Sequence, residues 1–168
     1  SLKDVDVIAL GKGPGSYTGL RIGTSVAKGL CYALDIPLIS VYSLQAMAFS
    51  MSKNEVSDVY CPMIDARRME VFSALYDSRN NEIRGIQADV VDKQTYSSFL
   101  NRNVLFFGDG ALKCKEIILH NNARFIDGVF PSALDLGSLA YKKFMNQDYE
   151  DVAYFEPFYL KDFVAGNR

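Results

Sequence analysis

The chain has 168 residues, of which 49% are hydrophobic and 23% charged, a composition that fits a globular protein with one domain or two small ones. Its net charge of −2 argues against a protein that binds nucleic acid unaided, because such a protein needs a basic surface to neutralise phosphates. The 3 cysteines form no C-x-x-C pair and no apolar run approaches the roughly 20 residues of a membrane span, so we expect a cytoplasmic protein with reduced thiols.

The first part of the chain predicts two strands that alternate with two helices. Residues 5–10 and 37–41 are short apolar runs typical of buried strands. Between them, apolar residues recur at helical spacing from Thr18 to Leu34, with Thr18 as the N-cap, and residues 43–51 predict a second helix. This order indicates parallel strands with crossover connections. Because the chain starts without Met and enters a strand almost at once, we expect it to be a fragment.

From residue 59 onward, the predicted elements change. Three strand-like stretches joined by polar turns, at residues 59–66, 69–77 and 82–91, are typical of an antiparallel meander. A short helix, a strand, a helix, a strand and an amphipathic helix opened by Asp135 are expected to follow, at residues 95–100, 103–110, 112–119, 123–130 and 135–145.

The order of these elements predicts two copies of one lobe. Residues 5–51 read as the last half of the series found later in the chain, so the front of the first copy is expected to be missing. A three-stranded hairpin sheet extended by parallel strands and helices is the arrangement of the actin, hexokinase and Hsp70 superfamily. We therefore predict an α/β, ribonuclease H-like, two-lobed fold with an incomplete first lobe. Its parts would be residues 1–56 of lobe I, residues 57–148 as lobe II, and residues 149–168 packing back on the lobes.

The glycine-rich stretch GKGPGSYTGLRIG, residues 11–23, joins the first strand to the first helix. It does not fit a Walker A loop. It does not fit a G-x-G-x-x-G motif either, because Gly13 and Gly15 match the first two glycines but Thr18 stands in place of the third. An anion could still contact Gly13, Gly15 and Ser16, because a helix N-terminus favours negative charge. The alternative is a tight turn between strand and helix that Ser16 or Thr18 caps. Both interpretations stay open.

The helix after this loop offers a third interpretation. Gly19, Gly23 and Ala27 fall at positions i, i+4 and i+8, and small residues in such a stripe let another backbone approach closely. The neighbour could lie inside the fold or in another chain. We predict a partner-binding surface on this helix. Its residues are Tyr17, Thr18, Gly19, Arg21, Ile22, Gly23, Val26, Ala27 and Leu30.

Two later segments could contact a phosphate. The FGDGA segment places Gly108 and Gly110 where two-lobed folds often hold a nucleotide, although the charge of Asp109 argues against that use. In the IDARR segment, Asp65 beside two arginines could position a phosphate. A hairpin turn with solvated charges is the alternative for IDARR that we favour.

A catalytic set is not evident in the sequence. The single histidine, His120, follows a predicted helix, where an exposed cap is more typical than a ligand. A G-x-S-x-G nucleophile elbow is absent from the sequence, so a serine hydrolase is not expected. The aromatic tail is more typical of a core or an interface than of a base-stacking surface. Its aromatic residues are Tyr154, Phe155, Phe158, Tyr159 and Phe163.

Several blocks, in order along nearly the whole chain, closely resemble the TsaB family, also called YeaZ. They read GPGSYTGLRIGTSVAKGL, PLISVYSL, MIDARRMEVFSALYD, FGDGA and EPFYLKD. The resemblance implies relatives that are longer at the front, with an opening hairpin and a first helix, in agreement with the incomplete first lobe. It also implies a bacterial cytosolic subunit of the machinery that places threonylcarbamoyl on the adenosine next to the anticodon of certain tRNAs.

Within that machinery, the resemblance implies a non-catalytic scaffold for the related subunit TsaD, working with the ATPase TsaE and reaching tRNA only through the complex. A homodimer is an alternative assembly. TsaD binds a metal through an H-x-x-x-H pair, where this chain has Ser43 and Met47, neither of which is a plausible ligand for iron or zinc. We expect no metal and no cofactor, with ATP or ADP at the partner interface as the alternative. Two other functions stay open, a nucleotide-binding enzyme of the actin and hexokinase type and a metal-dependent, glycoprotease-like peptidase.

Overall fold

The chain divides after Ser43 and again after Asp135 in the computed structural model, which describes residues 1–161. The first unit combines Ser1–Ser43 with the segment that begins at Leu136, and the second unit is Leu44–Asp135. The predicted lobe boundaries, at residues 56/57 and 148/149, differ from these divisions. Within residues 1–161, no helix is long and apolar enough to cross a membrane.

In the first unit, one long helix connects two parallel strands, as predicted. A short 3-10 turn, Leu2–Asp4, precedes strand β1, Ile8–Gly13, helix α1, Tyr17–Leu34, and strand β2, Leu38–Tyr42. Strand β1 pairs with β2 in parallel, so α1 is the crossover connection. The strand begins later than predicted because its pairing with β2 starts only at Ile8, opposite Leu38.

The segment from Leu136 onward completes the first unit. Helix α3, Ala133–Met145, starts two residues before the predicted Asp135, which lies in its first turn, where a carboxylate suits the helix dipole. After α3, the backbone N–H of Glu150 donates to the carbonyl of Leu38 at 2.8 Å, and Ser40 Oγ donates to the Glu150 carboxylate. Strand β2 is therefore bridged on its open side by a residue far away in the sequence.

The second unit contains a five-stranded sheet. Helix α2, Ser43–Asn54, leads to β3, Val59–Asp65, β4, Glu70–Tyr76, β5, Glu82–Val90, β6, Val104–Phe107, and β7, Ala123–Ile126. The spatial order is β5-β4-β3-β6-β7, with β3, β4 and β5 antiparallel and β6 and β7 parallel to β3. The predicted meander with parallel extensions is confirmed by this strand order.

Both faces of this sheet are buried, which explains why β6 is apolar at every position. Successive side chains of a strand point to opposite faces, so Val104 and Phe106 enter one core cluster while Leu105 and Phe107 enter the other. Residues of α2 such as Met47 belong to the second cluster, so α2 covers that face.

Two predicted helices are much shorter than expected. Residues 95–100 contain only the 3-10 turn Ser97–Phe99. The prediction of a helix at residues 112–119 is wrong. There the structure has the 3-10 turn Leu112–Cys114, followed by single turns closed by bonds such as Ile117 N to Cys114 O. A helix of eight residues has little stability of its own, so tertiary packing decides the conformation.

The second unit also buries a polar cluster that the sequence did not predict. An Arg84 nitrogen lies 2.6 Å from an Asp89 carboxylate oxygen, the Tyr96 hydroxyl donates to the same oxygen at 2.8 Å, and Ser73 Oγ donates to it at 2.5 Å. The Arg84 guanidinium also lies 5.2 Å from the centre of the Tyr96 ring. Burial raises the pKa of Tyr96 well above its ordinary value, so the phenol stays protonated and able to donate.

Replacing Tyr96 by Phe should lower the free energy of unfolding by about 1–3 kcal/mol, because a buried carboxylate loses a donor while the ring remains in place. Tyr141→Phe is the matched control, since that tyrosine is exposed, and it should change stability by less than about 0.5 kcal/mol. Urea unfolding of both variants measures the difference. Equal stabilities would show that the phenol contributes nothing to the cluster.

Candidate partner-binding face

The turn between β1 and α1 is shaped by a close backbone approach. Gly13 has φ +109°, and a Cβ added to it would lie 2.8 Å from the carbonyl oxygen of Phe158. The peptide bond between Gly13 and Pro14 is cis. The N–H of Phe158 donates to the carbonyl of Lys12 at 2.7 Å, which holds the two segments together. Packing therefore accounts for a glycine at position 13.

Ser16 caps helix α1. Its Oγ accepts a hydrogen bond from the N–H of Gly19 at 3.3 Å, and its carbonyl accepts from the N–H of Leu20 at 2.8 Å. The predicted alternative cap, Thr18, lies inside the helix instead. The turn between strand and helix is therefore capped by Ser16, as one of the two interpretations of the sequence predicted. Gly15 has no atom within 4 Å of an added Cβ, and an anion contact at Gly13, Gly15 and Ser16 stays a prediction.

One side of α1 carries exposed apolar and small residues. Ile22 is 61% exposed and Val26 is 57% exposed, while Leu30 is half-buried. Thr18, Gly19 and Gly23 are exposed between or beside them. We call this surface the apolar face of α1, and its residues are Thr18, Gly19, Ile22, Gly23, Val26 and Leu30.

Ala27 does not belong to the apolar face, contrary to the prediction. It is 4% exposed and packs in the core cluster of the first unit with Cys31 and Leu38. The reason is geometric, because each step of four residues turns about 40° beyond a full helical turn. A stripe that begins at Gly19 on the exposed side therefore drifts into the core after two such steps.

Gly23 lies open on the apolar face. A Cβ added to it would have no atom within 4 Å among residues 1–161. Within this part of the chain, the glycine is therefore not needed to admit a neighbouring helix. A close approach at Gly23, as the small-residue stripe predicted, would have to come from outside residues 1–161.

Tyr17 and Arg21 lie on another flank of α1 and contact the tail of the chain. The rings of Tyr17 and Tyr159 have centres 4.9 Å apart, and the Arg21 guanidinium lies 4.3 Å from the centre of the Tyr17 ring. A hydrogen bond with the Tyr159 side chain raises the pKa of Arg21 above its ordinary value. The predicted partner-binding residues therefore divide into an open apolar face and a flank that binds the tail. Phe163, the last of the predicted tail aromatics, lies outside the described residues.

In the second unit, Gly108 and Gly110 are buried where the end of β6 passes β3. Gly108 has φ +107°, and an added Cβ would lie 2.2 Å from the carbonyl oxygen of Met63. At Gly110 an added Cβ would meet Val71 at 2.9 Å, and its own N–H donates to Met63 O at 3.1 Å. Close packing accounts for both glycines, and a nucleotide contact there stays a prediction.

The IDARR segment is the turn between β3 and β4. Arg67 and Arg68 adopt positive φ values of 73° and 49°, and the Asp65 carboxylate accepts a hydrogen bond from the N–H of Arg67 at 2.7 Å. Lys113 Nζ donates to the same carboxylate at 2.5 Å and to the carbonyl of Glu70 at 2.6 Å. The hydrogen bond from Lys113, first among the causes, lowers the pKa of Asp65 below its ordinary value. Asp65 therefore organises a hairpin turn.

Nucleophiles and metal-binding side chains are dispersed. Among residues 1–161, no three His, Cys, Asp or Glu side chains form a group that could hold a metal ion. His120 is exposed, and its Nδ1 accepts a hydrogen bond from the N–H of Asn122 at 3.1 Å. Met47 is buried in the core of the second unit. Burial raises the pKa of the Cys61 thiol, and raises that of Cys114 to about 11, so both stay protonated near neutral pH.

Known proteins resemble this chain over most of its length. A family model described as TsaD, tRNA N6-adenosine threonylcarbamoyltransferase, matches residues 1–165. The tRNA threonylcarbamoyladenosine biosynthesis protein TsaB of Escherichia coli is 31% identical over 100% of this chain and 76% of its own length. The TsaB protein of Bacillus subtilis is 35% identical over 69% of this chain, and this match covers about half (52%) of the relative.

A solved structure agrees with these sequence matches. YeaZ from Pseudomonas aeruginosa superposes with a TM-score of 0.77 at 26% identity, over 95% of this chain and 76% of that structure. Together with the strand order of the second unit, this similarity confirms the predicted α/β fold of the actin and hexokinase type.

Replacing Gly108 by Ala should lower the free energy of unfolding by about 2–4 kcal/mol, because the new Cβ collides with the backbone of β3. Gly128→Ala is the control, since Gly128 also has a positive φ, of +73°, but has no atom within 4 Å of an added Cβ. The control substitution should lower the free energy of unfolding by only about 1 kcal/mol. Thermal unfolding of the two variants separates the collision from the backbone strain, and equal losses would contradict the assigned contact.

Proposed function

The chain belongs to the TsaB family, also called YeaZ, and from this membership we propose that it is a non-catalytic scaffold subunit in the formation of threonylcarbamoyladenosine in tRNA. The observation that carries the proposal is the open apolar face of α1. Through this face the chain binds a catalytic subunit of the TsaD type. A TsaE-type ATPase is the third member of the complex. The complex works in the cytoplasm, and the chain itself needs no bound metal or nucleotide.

The chemistry of the apolar face supports a protein partner. Ile22 and Val26 are both more than half exposed, and the neighbouring exposed glycines, Gly19 and Gly23, add no side chain to the surface. Burying the exposed part of each aliphatic side chain stabilises a complex by roughly 1–2 kcal/mol. Glycines at 19 and 23 let a partner helix approach until backbone and side chains touch. These are the properties of a helix-packing surface.

The electrostatics of the chain support an indirect contact with tRNA. With a net charge of −2, the chain lacks the excess of cations that neutralises phosphates along an RNA backbone. The partner therefore supplies the main RNA-binding surface. A second copy of this chain is the alternative occupant of the apolar face.

The state of the nucleophilic side chains supports a non-catalytic role. Cys31, Cys61 and Cys114 are buried, and burial raises the pKa of each thiol, which disfavours the reactive thiolate. His120 lies on the surface, with Nδ1 engaged by a backbone N–H. In this proposal, the chain contributes to the reaction by positioning its partner.

Replacing Gly23 by Leu should weaken binding of a TsaD-type partner at least about tenfold, because the side chain fills the space that a close helix contact requires. The substitution should not unfold the chain, since leucine is the better helix former by roughly 0.5–1 kcal/mol. Gly137→Leu, on α3, is the matched control, because Gly137 is also an open helical glycine. Pull-down with a TsaD-type partner and the melting temperature of each variant are the measurements.

Two outcomes of that experiment would contradict the proposal. Unchanged binding by the Gly23 variant would remove α1 from the interface. Weakening only by the Gly137 variant would assign the interface to α3 instead. If the Gly23 variant loses self-association but retains the TsaD-type partner, the apolar face serves a second copy of this chain.

A nucleotide-binding enzyme is the second candidate, because the matching family model is described as the transferase itself. For a scaffold, calorimetric titration of the chain with ATP or ADP should give no binding heat beyond dilution. A heat that saturates in the micromolar range, and that is lost when Gly108 is replaced by Ala in a variant that still folds, would favour the enzyme.

A further inference from the structure

A pocket of about 450 Å³ lies in the first unit, between α1 and the tail of the chain. One wall comes from the second and third turns of α1, and the other from the tail of the chain. The pocket is distinct from the glycine turn at the start of α1. Its lining residues are Arg21, Thr24, Ser25, Lys28, Pro157 and Tyr159.

The two cations of this pocket are held in place without a carboxylate. Lys28 Nζ donates to the carbonyl oxygens of Ala153 at 3.0 Å and Phe155 at 3.1 Å. The Arg21 guanidinium lies 4.3 Å from the centre of the Tyr17 ring, and a hydrogen bond with the Tyr159 side chain raises the pKa of Arg21. Among the residues that the structure describes, neither cation has an acidic side chain within ion-pair distance. Two positive charges therefore face one pocket uncompensated.

Hydroxyl groups lie between these cations. Ser25 is exposed and follows Arg21 by four residues and precedes Lys28 by three, so it neighbours both on the helix surface. Thr24 is only 6% exposed, and its Oγ1 has no hydrogen-bond partner among residues 1–161. Threonine in a helix has two accessible side-chain rotamers, so this hydroxyl can turn toward a bound group. The pocket thus offers hydrogen-bond donors beside its two charges.

We propose that this pocket binds a phosphate group, either free orthophosphate or the phosphate of a small monoester. Two fixed positive charges match a dianion, whereas a carboxylate would compensate only one of them. The planar guanidinium of Arg21 can donate two parallel hydrogen bonds to phosphate oxygens, and Ser25 can donate a third. Pro157 and the ring of Tyr159 provide an apolar wall for the organic part of a monoester.

The test is a titration of the ¹⁵N-labelled chain, followed by amide chemical shifts, with orthophosphate, glycerol 3-phosphate and acetate. Both phosphates should shift the amides of Thr24 and Ser25 with millimolar affinity, and acetate should bind at least about tenfold more weakly. Tighter binding of glycerol 3-phosphate than of orthophosphate assigns the site to a monoester, and the reverse order assigns it to the free ion. Equal binding of acetate and phosphate would overturn the proposal.

Variants separate specific binding from general attraction. Arg21→Gln should weaken phosphate binding about tenfold, because a charge-assisted contact is lost. Arg79→Gln removes the same charge at an exposed turn of the second unit and should leave binding unchanged. Thr24→Val should weaken binding a few-fold without lowering the melting temperature, since the hydroxyl has no internal partner. Equal affinities of the Arg21 and Arg79 variants would refute the site even though both fold.

Discussion

The return of residues 149–161 onto the first unit determines which side of α1 remains exposed. Glu150 bridges Leu38 of β2, Phe158 donates to the carbonyl of Lys12 in β1, and Lys28 of α1 donates to the carbonyls of two tail residues. The ring of Tyr159 then contacts the ring of Tyr17 at the start of α1. The tail covers one flank of the helix and the strands cover another, so the apolar face lies outside both contacts and stays exposed. The exposed surface of α1 is thus defined by contacts that link the two ends of the described chain.

The second unit does not depend on such a return. Its five-stranded sheet buries both faces, and glycines at 108 and 110 let the segment after β6 lie directly on the backbone of β3. Its buried ion pair between Arg84 and Asp89 is compensated by hydroxyl donors, which such a pair needs to offset the cost of leaving water. With five strands and a buried core, this sheet can be stable by itself. Among residues 1–161, the sheet of the first unit has only two strands, which are too few for independent stability.

The sequence predicted the order of elements well because apolar runs and turns are local signals. The meander, the parallel strands and the family were confirmed, and IDARR proved to be the turn that we favoured. The contacts of the tail with α1 could not be predicted, since no periodicity links Lys28 to residues more than a hundred positions away. The same holds for the buried cluster around Asp89, because its members are joined only by strand pairing and by the fold of the following loop.

The burial of Ala27 shows that helical spacing alone does not predict which side of a helix faces the core. Spacing places residues on a helix relative to one another, but the direction of the core follows from the partners of the helix, here β1, β2 and the tail. Once that direction is known, α1 presents an apolar face on one side and cations on another. The first unit has only five residues in its main buried cluster among those described, compared with thirteen in the larger cluster of the second unit. A partner that covers the apolar face would therefore stabilise the less stable unit, by about 2.7 kcal/mol at a concentration a hundred times its dissociation constant. In this view, partner binding and the folding stability of the first unit are linked through α1.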